Sequence, residues 1–150
     1  MIYIITGPTH CGKSTFIQEN KKSNDIIIDL LDFQDNSRSL DELMLAQYNF
    51  LADVESKIRQ VPDRDIWIEG CWSNPYRIGQ IINTVRAVNE NIEITVYYIL
   101  RDEEWYRENL DIFAAAIAAA QLSYYKLYND TGAAVYKVGN KNTDIKEIKN

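Results

Sequence analysis

Gly7-Pro8-Thr9-His10-Cys11-Gly12-Lys13-Ser14-Thr15 places Gly-Lys-Ser at the G-x-x-x-x-G-K-S spacing, directly after the apolar run Ile2-Tyr3-Ile4-Ile5. The chemistry that this spacing serves is the holding of a polyphosphate. Glycines let the backbone curl so that its N–H groups face an anion, and a helix opening at Thr15 adds the positive end of its dipole. Gly7, Thr9, His10, Cys11, Gly12 and Thr15 form the cradle. Lys13 sets an ammonium on the β- and γ-phosphates of a nucleoside triphosphate, and the Ser14 hydroxyl is the expected Mg²⁺ ligand. The expected cofactors are ATP and Mg²⁺. His10 is the only histidine, and its place in the loop is read as a backbone contribution rather than acid–base work. Cys11 stands near a helix start, where a thiol pKa tends to fall, yet a small neutral filler is the preferred reading.

Besides the cradle and its metal, phosphoryl transfer needs a carboxylate to orient or deprotonate the attacking hydroxyl, and cations for the charge on the moving group. Polar residues at the ends of apolar runs supply candidates. Asp32 is the first choice for the acceptor-side carboxylate, with Asp29 as the fallback. Glu69 follows Ile66-Trp67-Ile68 and is read as an acid near the metal and the acceptor. Arg101 and Arg107 flank the start of a long helical segment and are candidates for neutralising the transferred phosphoryl group. Arg38, in a polar loop, is a weaker candidate for holding an anionic acceptor.

The elements that must position these residues alternate. Met1 to about Lys22 reads as strand, loop and helix, and Asp25–Leu30 as a second strand whose Ile26-Ile27-Ile28 run suits a buried parallel position. Ser39 with Glu42 forms a capping box that opens a helix to about Gln60, with Leu40, Leu43, Met44, Phe50, Leu51, Val54 and Ile58 as its apolar stripe. Asp65–Glu69 is a third strand. Asn74-Pro75 starts a helix with Ile78, Ile81, Ile82, Val85 and Val88 on one face. Ile92–Leu100 is a fourth strand, and Asp102 caps a helix expected to run to about Asp130. Ala133–Val138 is a fifth strand, and Thr143–Asn150 a last short helix. Five strands alternating with helices predict an α/β fold: a parallel sheet covered on both faces, with ligands at the carboxyl ends of its strands.

Composition bounds the function. At 150 residues and 46% hydrophobic, the chain reads as one domain, 1–150. Sixteen Lys and Arg against 22 Asp and Glu give a net charge of −6 without a basic stripe, which favours a small-molecule acceptor over a long nucleic acid. Two cysteines, Cys11 and Cys71, make no disulfide framework. No apolar stretch reaches membrane-spanning length and no leader is apparent. A reduced, cytoplasmic setting is expected, and the oligomeric state is not legible.

On the loop, on Asp32-Phe33, on Ile68-Glu69-Gly70 and on Arg101 at the exit of strand four, the chain resembles the small P-loop kinases. The likeness is to the zeta-toxin-like and polynucleotide-kinase-like group of P-loop NTPases. It spans most of the chain in element order and is specific at the loop. It implies a three-layer α/β/α fold with a five-stranded parallel sheet in the order 2-3-1-4-5. It also implies that Lys13 binds ATP phosphates, Asp32 is the base, Glu69 meets acceptor or metal, and Arg101 or Arg107 closes over the phosphates. The leading expectation is a kinase moving the γ-phosphoryl group of Mg-ATP to a hydroxyl of a small metabolite, nucleoside or nucleotide sugar. Its alternatives are an NTPase or switch without an acceptor, and a kinase of nucleic-acid 5′ ends. Asn140-Lys141-Asn142 echoes a guanine-recognition motif but lacks its aspartate, since Thr143 follows. Acceptor specificity is expected from residues 33 to 48 and 71 to 77.

Overall fold

Ile2–Thr6 (β1) sends alternate side chains to opposite faces and buries both, which suits the centre of a parallel sheet. The computed structural model describes residues 1–128 and 132–148. After β1 come α1 (Lys13–Asn20), β2 (Ile26–Asp29), α2 (Leu30–Gln34), α3 (Leu40–Gln60), β3 (Ile66–Gly70) and α4 (Pro75–Val88). Then follow β4 (Ile94–Ile99), α5 (Glu103–Asn109), α6 (Ile112–Leu122), β5 (Ala134–Val138) and β6 (Ile145–Glu147). The sheet order is β2-β3-β1-β4-β5-β6, with every pairing parallel except β5 with β6. The expected order 2-3-1-4-5 is present, extended by one antiparallel edge strand.

Two cores flank this sheet. Ile2, Ile4, Ile66, Ile68, Val96 and Tyr98 turn to one face, against Phe50 and Val54 of α3 and Ile78, Ile81 and Ile82 of α4. Ile5, Trp67 and Ile99 turn to the other, against Phe16 and Ile17 of α1, Tyr106 of α5, and Ala115 and Ala118 of α6. Helices on both faces make the three layers. The second face also carries a ladder of rings across four strands: Trp67 on Tyr3 at 4.1 Å, Tyr3 on Tyr97 at 6.4 Å, and Tyr97 on Tyr136 at 5.4 Å between centroids.

Caps behave as the sequence predicts. Ser39 accepts from the Glu42 N–H, Asn74 from that of Tyr76 and Asp102 from that of Trp105. Three expectations are corrected. The segment from Asp102 is two helices, because the Asp111 carboxylate accepts the Ala114 N–H at 2.9 Å and starts α6 afresh. Asp130, the expected helix end, lies outside the described residues. The last helix is absent: Ile145–Glu147 pairs with the open edge of β5, which offers backbone partners that a helix so short cannot match. Its expected terminus, Lys149-Asn150, also lies outside the described residues. Finally, β2 stops at Asp29, and Leu30 already belongs to α2. Among the described residues no helix is long and apolar enough to cross a membrane.

Candidate active site

The loop between β1 and α1 is shaped by two glycines. A Cβ on Gly7 would stand 2.5 Å from the Ile99 carbonyl oxygen and 2.7 Å from Cys11 Sγ, so only glycine lets the strand end pass under the loop. Gly12 caps α1 in the left-handed region at φ 92°, and no side chain caps that helix, which leaves its first-turn amides for an incoming anion. The Thr9 N–H is held by Gln121 Oε1 at 2.7 Å, tying the loop to the end of α6. Lys13 is buried within the loop and donates to the carbonyl oxygens of Gly7 and Pro8 at 3.0 Å each and to Cys71 Sγ at 3.2 Å.

The acids stand on the adjoining strand ends. Asp29 and Glu69 are register partners at the carboxyl ends of β2 and β3. The Ser14 hydroxyl donates to Glu69 Oε1 at 2.9 Å. Burial pushes the Glu69 carboxyl above its ordinary value, and the Ser14 hydrogen bond opposes that shift. Asp29 caps α2 through Oδ1, which accepts the Leu31 N–H at 3.0 Å. Lys13, Ser14, Asp29 and Glu69 all line one cavity of about 780 Å³. Its floor is polar, and the start of α3 forms an apolar wall.

Most of the predicted residues meet there: Thr9, His10, Gly12, Lys13, Ser14, Thr15 and Glu69 line the cavity, while Gly7 and Cys11 shape the loop behind it. His10 is exposed with φ 62°. Burial lifts the Cys11 thiol to about 11, opposite to the lowering that a helix start favours. Asp32 is exposed on the first turn of α2, outside the cavity lining, and the fallback Asp29 is the aspartate that lines it. Arg38 is exposed in its loop and Arg107 on the last turn of α5, and neither lines the cavity.

Arg101 is engaged by the protein itself and does not line the cavity. It is only 3% exposed and donates to the Cys11 carbonyl at 3.0 Å, to the Gly139 carbonyl at 2.6 Å and to Asn142 Oδ1. Its guanidinium also sits over the Trp105 ring, 4.9 Å from the centroid. The residue staples the phosphate loop to the segment after β5. Asn142, the echo of a base-recognition motif, serves the same staple and donates to Glu19.

Gln47, Trp72 and Arg77, all in the cavity wall, fall within the segments 33–48 and 71–77 expected to set acceptor specificity, but sequence reasoning singled out none of them. Gln47 falls on the apolar stripe of α3 as its one polar member, a signal that periodicity alone passes over. Arg77 sits in the first turn of α4, beside a strand end, and donates to Gln80 at 3.1 Å.

No family model and no curated protein matches the sequence. Solved structures do match. A sugar kinase from Janibacter sp. HTCC2649 superposes with a TM-score of 0.61 at 10% identity, over 93% of this chain and 84% of that one. The tunicamycin resistance protein of Deinococcus radiodurans gives 0.57 at 10% identity, over 82% and 78%. A chain of the PezAT chromosomal toxin–antitoxin system of Streptococcus pneumoniae gives 0.54 at 14%, over 98% and 70%. With its Gly-Lys-Ser loop between β1 and α1 and this strand order, the protein has the fold of the small P-loop kinases.

Proposed function

We propose that the protein is an ATP-dependent phosphotransferase that moves the γ-phosphoryl group of Mg-ATP to a hydroxyl of a small molecule. The observation that carries this reading is the meeting of Lys13 and Ser14 with Asp29 and Glu69 in one cavity at the carboxyl ends of β1, β2 and β3.

Each residue then has a task. The α1 amides and the Lys13 ammonium hold the polyphosphate, Lys13 exchanging two neutral carbonyl partners for charged oxygens, which are the stronger acceptors. Ser14 and Glu69 offer a hydroxyl and a carboxylate oxygen 2.9 Å apart, a hard donor set that fits Mg²⁺. When bound, Mg²⁺ neutralises charge on the β- and γ-phosphates. Asp29 takes the acceptor-side role first assigned to Asp32: its carboxylate receives the hydroxyl proton as the acceptor oxygen bonds to the γ-phosphorus. The bond from that phosphorus to the bridging oxygen breaks, and ADP leaves with the electron pair. Arg77 is the guanidinium in the cavity wall, and it supplies the positive charge expected of Arg101 or Arg107.

The test is a panel of hydroxyl-bearing metabolites and oligonucleotides incubated with γ-labelled ATP and Mg²⁺, comparing the protein with its Lys13→Ala variant. Label is expected on a small acceptor with the native protein and on none with the variant. Label that appears equally with both overturns the reading.

A further inference from the structure

No charged residue stands between Asp111 and Lys126, in a chain that is 25% charged overall. α6 fills most of that stretch and is apolar all round. Ala115 and Ala118 turn inward and are buried in the second core. The other side is in water: Ile112 and Phe113 are 81% and 80% exposed, Ile117 is 56% exposed, and Ala116 and Ala120 are exposed as well. The helical period of 3.6 residues sets these five on one continuous arc. A helix without a polar side is ordinarily covered all the way round. The exposed parts of the five side chains amount to on the order of 500 Å², the upper end of what a monomer leaves bare. None of the five lines the cavity, so this is a surface separate from the candidate active site.

We infer that α6 is the two-fold contact of a homodimer, with α6 of a second copy lying antiparallel across it. Charge selects that occupant. Each copy carries a net −6, and an uncharged face is where two such copies meet without setting carboxylate against carboxylate. Ala116 and Ala120, one turn apart, let the helix axes approach, while Phe113 and Ile117 fill the space beside them. A two-fold contact needs a patch that complements itself, and a face of one chemical character does so. Counting both copies, about 1,000 Å² is buried, the size at which a specific interface begins. A bilayer is a poorer occupant, because the face has no basic rim for lipid headgroups and the 11 residues of α6 fall short of the roughly 20 of a membrane span.

The experiment is sedimentation equilibrium of the full chain across a micromolar concentration series. The native protein is expected to reach twice the mass of one chain. Phe113→Glu, a change at an exposed position, is expected to weaken association at least about 30-fold, the effect of losing one central anchor. A second variant reads the symmetry without disturbing the fold. Ala116→Cys, made in a Cys71→Ser chain so that the exposed native thiol is silent, is expected to cross-link to its own counterpart under mild oxidation, since a residue near a two-fold axis meets itself. A single-chain mass at every concentration overturns the inference, and so does a dimer that Phe113→Glu leaves intact. A dimer that Met44→Glu, on the exposed start of α3, splits equally is a head-to-tail contact and overturns it too. The same holds for a dimer in which Ala116→Cys stays uncross-linked. Co-sedimentation of a monomeric chain with phosphatidylcholine vesicles, lost in Phe113→Glu, assigns the face to a bilayer and overturns the inference.

Discussion

Asp29 and Asp32 are three residues apart, and a strand boundary separates their environments. From sequence, the apolar run Ile26-Ile27-Ile28 gave no sign of whether the chain left the sheet before or after Leu30, so either aspartate fitted the strand end. The structure ends β2 at Asp29 and turns Asp32 to solvent. Asp29→Asn keeps the N-cap of α2, because asparagine caps as well as aspartate, but removes the proton acceptor. It is expected to lower kcat by at least about 100-fold with ATP affinity nearly intact, while Asp32→Asn stays within a few-fold; steady-state kinetics on the acceptor found in the panel separates them. Glu69 carries a second prediction. Burial raises its folded-state pKa above the unfolded value, so above the folded pKa the ionised carboxylate sits at a cost to stability. That cost vanishes as pH falls below the ordinary carboxylate range. Glu69→Gln is therefore expected to raise Tm at pH 7, and the gain should shrink toward pH 4. Thermal melts across that range check the sign, and Mg²⁺-dependent turnover should fall in the same variant.

At the scale of elements, what was legible had a local cause. Ser39, Asn74 and Asp102 are side chains whose oxygen has one obvious use, and each caps the helix expected of it. What was hidden depended on competition. Asp111 interrupts an otherwise helical run because its carboxylate offers the Ala114 amide a partner, and Ile145–Glu147 becomes a strand because β5 has an open edge. Arg101 was hidden in the same way. Its place at a strand exit suggested chemistry, whereas two backbone carbonyls and Asn142 claim its guanidinium. Arg101→Ala leaves the Cys11 and Gly139 carbonyls buried without their donor. A loss of about 3 kcal/mol is expected, or roughly 6–12 °C in Tm for a chain of this size. ATP affinity should fall with it, because the phosphate loop is one end of the staple. A catalytic Arg101 predicts the opposite pattern: kcat lost with Tm and ATP affinity unchanged.

Across the whole molecule, the alternation of β and α elements in the sequence is enough to place the loop, β2 and β3 at one end of the sheet, because parallel strands with helical crossovers put their carboxyl ends together. The apolar wall was not legible. Leu40, Leu43 and Met44 share the spacing of the buried stripe on α3, and periodicity does not say where a helix runs past the edge of its core. That architecture makes the ligand a structural element. The cavity is bounded by α1, α2, α3, α4, the loop after β1 and the ends of β2 and β3, so a triphosphate gripped by Lys13 and Ser14 tightens elements from both layers of helices. A ligand that binds only the folded form at 100 times its Kd adds about 2.7 kcal/mol, which for this size of chain is a rise in Tm of roughly 5–11 °C. Differential scanning fluorimetry with Mg-ATP should show that rise, with a logarithmic dependence on ATP concentration. Lys13→Ala should abolish it, and Asp29→Asn should leave it in place, because the role proposed for Asp29 is toward the acceptor and not the polyphosphate. A rise that persists in Lys13→Ala assigns the stabilisation to nucleotide bound elsewhere than the loop.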